Sequence, residues 1–418
     1  MVSPIGILEV IAFLDLLAVG LIVPLVSIHV RQMGGNHIHV GLLGSIYAVF
    51  QLGSGPLIGS LSDIKGRKFI LIMTLVISSI AYTLIGFANS IFVTLMIRGV
   101  LGLFKQTQML TRAMVPDYER NEHKQGEIYG KMMAISGAGM TLGPVMGGHV
   151  AEDYPENGFK FICCAVGICF LINAELIIES IMTSKKYTYI LVYWYTYILI
   201  TKLNIKPGNL VTIVTSSLKQ SLLDLYNIDW SLYWDAFMYK GLVGFAMGVY
   251  YSNYASYLRE LYNLSPKYIG CVISFQGVVG AISSYFMGFI NSFYSQDKDC
   301  SQRNFHVFLI LSTALLGLIL SYNIYLYTFW LIPLAIGNAV GRLITLEMVL
   351  IRSRGEHRGK LIGASNSVRS LTGVVSPLVA GVIGEYIGVA YVIYASLFST
   401  GIGVVLSYQH RYAKLKHD

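Results

Sequence analysis

Charge is what this sequence has least of. Asp, Glu, Lys and Arg make up 12% of the 418 residues, against 55% hydrophobic, whereas soluble domains carry about a quarter charged residues. That ratio excludes an ordinary water-soluble enzyme. Cysteine is also scarce: three of the five (Cys163, Cys164, Cys169) sit inside one apolar run, which excludes a disulfide framework and leaves small buried hydrophobes. No G-x-x-x-x-G-K-[ST] phosphate cradle occurs, which argues against an ATP-driven pump. No selectivity-filter or acidic-ring pattern suggests a channel. The nine histidines form no ligand set, so neither a metal nor a cofactor is expected. A short apolar core behind a basic leader is missing too. The first run, from about Ile5 to Val30 with Asp15 and Pro24 inside it, therefore reads as a span rather than a cleaved signal.

What the chain does have is apolar length. Its mean hydropathy is +0.61, and its apolar residues gather in runs of roughly twenty, enough for a helix to cross a hydrocarbon core of about 30 Å. Twelve spans are expected, at about 5–30, 40–61, 68–88, 91–113, 127–150 and 159–182, then 236–258, 268–293, 305–323, 325–350, 360–384 and 387–408. The fold class is an all-α polytopic membrane protein. Residues 1–182 form one six-helix half, 183–235 a central loop, and 236–418 a second half with a short tail.

Basic residues assign the sides. With a cytoplasmic N-terminus, 20 Lys or Arg fall in inner loops and only Arg31, Lys160, Arg259 and Lys267 in outer ones, a strong positive-inside asymmetry. Both termini are then cytoplasmic, and the net charge of +8 answers to topology and anionic lipid rather than to nucleic acid. The apolar stretch Tyr187 to Ile200 is 14 residues long and would rise only about 21 Å. A crossing there would invert every later loop, so it is kept out of the span count. Leu222, Leu225, Tyr226, Trp230 and Tyr233 then follow at helical spacing and read as an amphipathic helix on the inner surface.

The halves repeat. Ile128 to Glu152 aligns on the stretch ending at Glu385 with an offset of 233, placing Gly130 on Gly363, Pro144 on Pro377, Gly148 on Gly381 and Glu152 on Glu385. Two six-helix halves in parallel repeat are one plan of secondary transporters, with the solute site near the midplane between them.

Three motifs sharpen this. "GSLSDIKGRK" (Gly59 to Lys68) joins the second and third spans, "RGVLG" starts at Arg98, and "GMTLGPVMGG" carries Gly139, Gly143, Pro144, Gly147 and Gly148. Together they resemble the major facilitator superfamily. Gly59, Leu61, Asp63, Gly66, Arg67 and Lys68 match its loop signature, and the glycine–proline run matches a helix 5 motif of its drug–proton antiporters. Lys105 and Gln106 depart from the small-residue ending of the helix 4 antiporter motif. The resemblance implies twelve helices and Asp63 latched to helix 11, with Arg112 a second partner for Asp63. It also implies cavity-lining helices 1, 4, 7 and 10. A tight inner loop suits Gly66, and Arg67 is expected to pair with Asp117 or Glu119. The helix 5 glycines read as a gate seal on one side only, because Thr372 and Ser376 replace glycines in the second half.

Charges inside spans are costly and mark cavities or pairs. Asp15, Arg98, Lys105, Glu175, Arg342 and Glu347, with Tyr250, Tyr251 and Asn253, are the cavity and coupling candidates. Lys240 is taken as near the inner rim, and Arg369 as structural. Asp15 and Lys105 stand at nearly one depth and are expected to form an ion pair facing the cavity. The function expected is secondary active transport of a small solute by alternating access, coupled to protons, by a monomer with lipid as its surroundings. A transporter fold that senses or scaffolds without moving solute is the rival.

Overall fold

The structure is a computed structural model and describes residues 3–182, 230–294, 296–297, 299–352 and 358–415. The stretch Tyr187 to Ile200 and most of the central loop lie outside the described residues.

Local chemistry sets the helix starts. The Ser3 hydroxyl accepts the Gly6 N–H at 3.0 Å ahead of α1 (Pro4–Gln32), and Pro4 stands where no intrahelical donor is needed. A reciprocal cap between Asn36 and His39 opens α2 (His37–Lys65). Gly66, at φ 98°, ends α2 and begins α3 (Arg67–Phe87) with no further linker, a left-handed conformation that a side chain would strain. Two short helices follow, α4 (Ile91–Phe104) and α5 (Thr107–Tyr118), broken at Lys105–Gln106. Then α6 (Glu122–Asp153) and α7 (Gly158–Met182) complete the first half.

The second half begins with α8 (Trp230–Ser252) and α9 (Tyr254–Tyr262), broken at Asn253, then α10 (Pro266–Tyr285) and α11 (Met287–Ser292), broken at Phe286. It ends with α12 (Ser301–Ile319), α13 (Ile324–Arg352), α14 (Arg358–Tyr386), a 3-10 turn at Val389–Tyr391 and α15 (Val392–Leu415). Joining the three broken pairs yields twelve spans, six in each half. Nine described helices are long and apolar enough to cross a membrane unaided; α4 and α5 are not, because the Lys105–Gln106 break halves them. Trp230 and Tyr233 lie in the first turns of α8, not in a separate surface helix. The Tyr233 hydroxyl ties that start to the Arg352 carbonyl at 3.0 Å.

Within the first half α1 packs on α6 and α7, α3 on α7 and α2 on α4; within the second, α12 packs on α13 and α15 and α8 on α14 and α15. The halves meet along two seams, α2 on α14 and α6 on α10. We call the end of the bundle where α1 begins proximal and the opposite end distal.

Candidate functional site

At the proximal end the loop motif is braced within its own half. Arg67 reaches Asp117 at 2.9 Å and Asp63 at 3.3 Å, and donates to the Ala113 carbonyl. It thereby ties the α2–α3 loop to the end of α5. Lys68 sits 5.6 Å from the Tyr118 ring, and a Cβ on Gly59 would lie 4.0 Å from the Met109 methyl. Asp63 is exposed and binds Arg67 rather than Arg112. The second half carries a counterpart that the sequence did not disclose. Arg303 holds Asp297 at 3.3 Å and Glu347 at 3.2 Å, tying the start of α12 to α13. Glu347 is therefore a loop brace and not a cavity group. The other ion pairs seen at this end, Glu9 with Lys131 and Asp235 with Arg352 and His410, also stay inside one half.

The distal end is different. Along one seam Gly41 sits on the Pro377 carbonyl with no room for a Cβ, and a Cβ on Gly381 would meet the His37 carbonyl at 2.8 Å. Along the other, Gly270 sits on the Pro144 carbonyl in the same way, and a Cβ on Gly148 would lie 2.5 Å from the Pro266 carbonyl. Each seam is capped by a carboxylate from the opposite half. Glu385 accepts the His37 N–H at 2.9 Å at the start of α2. Glu152 accepts the Lys267 N–H at 3.2 Å and the Ser265 hydroxyl at the start of α10. A carboxylate is stabilised by the unpaired N–H groups and the dipole of a helix N-terminus. Those hydrogen bonds, that from Ser265 foremost, hold Glu152 below its ordinary pKa of 4.5. Glu260 adds a bond from α9 to Arg31 at 3.2 Å, and lies 3.5 Å from His37.

The helix 5 motif thus divides its labour. Gly139, Gly143 and Gly147 bring α6 against α1 in the same half, at the Phe13, Gly20 and Leu21 backbone, while Pro144 and Gly148 face the other half. The asymmetry between the halves that the sequence shows does not reach the seams. Pro377 and Gly381 repeat the arrangement, and Ser376 and Thr372 face Gly248 and Gly244 of α8 instead of the seam.

At mid-depth in the first half, Lys105 Nζ lies 3.0 and 3.1 Å from the two Asp15 oxygens, and Gln108 Nε2 donates to Asp15 at 3.2 Å. Asp15 is 0% and Lys105 7% exposed, and the ammonium lies 5.5 Å from the Phe170 ring centroid. The pair is enclosed between α1, α5 and α7 and does not line the cavity; only half-buried Gln108 reaches outward. The helix break that frees Lys105 is paired from α2. Gln51 donates to the Lys105 carbonyl at 3.3 Å and Ser54 to the Gly102 carbonyl at 3.2 Å; Gln106 donates to the Ser54 hydroxyl at 2.9 Å.

The family model described as Major Facilitator Superfamily matches residues 8–185 and 236–417. The chain belongs to the Major Facilitator Superfamily. The Staphylococcus aureus (strain COL) quinolone resistance protein NorA is 24% identical over 420 residues, covering 97% of this chain and 96% of that protein. Multidrug resistance protein MdtG of Salmonella typhi is 27% identical over 412 residues, covering 94% and 90%. Among solved structures, an inward-facing, unoccupied bacterial homolog of the human lysosomal transporter Spinster superposes with a TM-score of 0.75 at 14% identity, over 99% of this chain and 97% of that one.

In this superfamily member the other candidates scatter. Arg98 stacks 4.9 Å from the Tyr47 ring centroid and donates to the Leu43 carbonyl at 3.4 Å. Tyr250 is buried against Tyr327, hydroxyl to hydroxyl at 2.9 Å, and Asn253 donates to the Ala380 carbonyl at 2.8 Å; both pack the second half rather than line a cavity. Glu175 is exposed on α7, a helix packed on α3, α1 and α6, and pairs with no described residue. Tyr251 does face an opening, at 43% exposure, and so does Arg342. Arg369 does not fit its structural reading: it is exposed and within electrostatic reach of Arg342 and of Arg112 from the opposite half. Lys240, about 15 Å along α8, binds Ser365 of α14 and is within reach of Arg369 rather than snorkelling to the rim.

Proposed function

We propose that this protein moves a small solute across a membrane as a secondary active transporter, by alternating access between its two halves. The observation that carries the reading is the placement of the bonds between halves. They cluster at the distal end, while the ion pairs seen among the described residues of the proximal end, such as Arg67 with Asp117 and Arg303 with Glu347, stay within one half. Such a molecule is closed distally and open proximally, and reversal requires only that the seams part and the proximal loops dock. Basic-residue placement makes the proximal end cytoplasmic, with both termini and residues 183–235 on that side. The described state is then open to the cytoplasm.

Proton coupling at Asp15 is the second part of the proposal. A proton or an anionic solute that competes for one partner of the Asp15–Lys105 pair would bias the two halves. Asp63 and the basic loop keep the latch role for the opposite state, with α14 as partner. One chain supplies both faces of each seam, so a monomer suffices. The names of NorA and MdtG associate such proteins with drug resistance. Lys105 and Gln106, absent from the antiporter pattern, argue for a different solute here. Proteoliposomes holding the purified chain test the reading: imposed pH gradients should drive saturable accumulation of a solute. Saturable binding with no flux of any bound solute would establish a sensor in its place.

A further inference from the structure

Three cations of the second half stand at one level with no carboxylate paired to them among the described residues. Lys240 lies ten residues from the proximal end of α8, Arg342 ten from that of α13 and Arg369 eleven from that of α14, each about 15–17 Å deep. Arg369 is within electrostatic reach of both Lys240 and Arg342, and of Arg112 on α5 across the gap. A side chain on α14 that senses α8, α13 and the opposite half at once faces the central cleft. Arg342 and Arg369 are exposed although they sit inside spans, which is the signature of a water-filled cavity. The bonds described for the group are those of Lys240 to Ser365 and of Arg342 Nε to its own helix's Asn338 carbonyl at 3.4 Å. Of the carboxylates at this depth or near it, Asp15 is committed to Lys105, Asp235 to Arg352 and Glu347 to Arg303, while Glu175 stands exposed on α7 of the other half.

Further in, toward the sealed end, lies a polar roof: Asn338 stands one turn beyond Arg342 on α13, and Tyr251 about three turns beyond Lys240 on α8. The Tyr251 hydroxyl oxygen accepts from Gln276 Nε2 at 3.0 Å and from Asn338 Nδ2 at 3.1 Å. With two donors on its oxygen, the hydroxyl proton is left to point into the cleft. Gln276 is 5% exposed, and its Oε1 is buried with no hydrogen-bond partner among the described residues. A buried unpaired acceptor is costly, and here it stands beside a tyrosine that opens onto the cleft. The site therefore offers positive charge, one hydroxyl donor and one unfilled acceptor.

We propose that the central cleft binds a small organic anion, a carboxylate or phosphate that also carries a hydroxyl or N–H donor. The anionic group sits among Arg342, Arg369 and Lys240, and its donor meets Gln276 Oε1 under Tyr251. Like charges gathered in a span are unfavourable until a counter-charge arrives, so occupancy also draws Arg112 and the two halves together. The inference rests on the transporter reading for its purpose but not for its test.

Thermal stability of the purified full chain is measured against citrate, glucose 6-phosphate, tricarballylate (citrate without its hydroxyl), glucose and choline, at matched ionic strength. Citrate or glucose 6-phosphate should raise the unfolding temperature saturably, and glucose and choline should not. Tricarballylate should bind more weakly than citrate. Arg342→Gln and Arg369→Gln should each weaken the anion about tenfold, as expected for one lost charge-assisted contact. Arg342→Lys should retain part of the affinity, and Lys131→Gln all of it. No response to any anion, or an equal response to choline, would overturn the anion assignment. Whether the chain alternates access is read separately, from reagent accessibility at each end of the bundle. Failure of one therefore does not imitate failure of the other.

Discussion

Pro144 and Pro377 hold the same position in two seams, each turning its carbonyl onto a glycine of the opposite half, Gly270 and Gly41. A proline removes the hydrogen bond that its own N–H would have made within the helix and bends the chain locally. Here the bend brings backbone against backbone. Apolar burial gives helices little reason to associate in lipid, and close packing of small residues replaces it. The two seams are copies of one design, related by the offset of 233 that also relates Glu152 to Glu385.

Bulk at either glycine should pry its seam open. Gly41→Val and Gly270→Val introduce a side chain where no Cβ fits, a strain of about 1–3 kcal/mol, or roughly a fivefold to 150-fold shift between states. A cysteine placed at Ala48 should become reactive to an impermeant reagent from the distal side in either variant. Unchanged reactivity with unchanged stability would mean that the seam is not a gate.

The carboxylate caps make distal closure sensitive to acid. Glu152 is held below its ordinary value by Ser265 and Lys267 in the sealed state. A depressed pKa stabilises the sealed state above the ordinary value of 4.5, and this stabilisation is lost as pH falls through the lowered one. Distal accessibility should therefore rise below about pH 4.5 and stay flat through neutral pH. Glu152→Gln should open the seam at neutral pH and remove that acid response. A wild-type profile in Glu152→Gln would transfer the sensitivity to Glu385 or to another group.

Much of this was legible in the chain. Apolar length and positive-inside bias yield the spans, and the loop motif matches the braces of Gly66, Arg67 and Asp117. The aligned pairs Pro144/Pro377 and Glu152/Glu385 were visible, but not what they touch. The glycines opposite them, Gly270 and Gly41, lie in other helices, and no spacing rule connects them. The depth of Asp15 and Lys105 predicted their contact, whereas their enclosure did not follow. Being on helices 1 and 4 does not say which face of each helix carries the side chain. Arg369 was misread because its neighbours, Arg112 and Arg342, are distant in sequence. Glu347 was misread because Arg303 belongs to a loop brace whose sequence does not resemble its counterpart.

Sidedness has a direct check. In a cysteine-free background, Glu156→Cys should label from outside intact cells, and Arg120→Cys only after permeabilisation, because each sits exposed in a loop at an opposite end. The reverse pattern would invert the assignment of proximal to cytoplasm and make the described state outward-open.

Asp15 and Lys105 decide whether protons are coupled here. Removing one partner strands a buried charge, which costs about 3–5 kcal/mol. Asp15→Asn and Lys105→Gln should each lose most folded protein. Replacing both by neutral groups of similar shape removes the charge problem, so Asp15→Asn/Lys105→Gln should recover stability to within about 1 kcal/mol of the native chain. The exchange Asp15→Lys/Lys105→Asp should recover less, because Gln108 donates to the carboxylate in its present place. With folding restored, the neutral pair isolates the chemistry: no proton can be taken up where no carboxylate remains. That variant should still exchange solute down its gradient but lose accumulation driven by pH. If pH-driven accumulation persists at the wild-type level, the pair is structural, and the coupling proton is carried by another group.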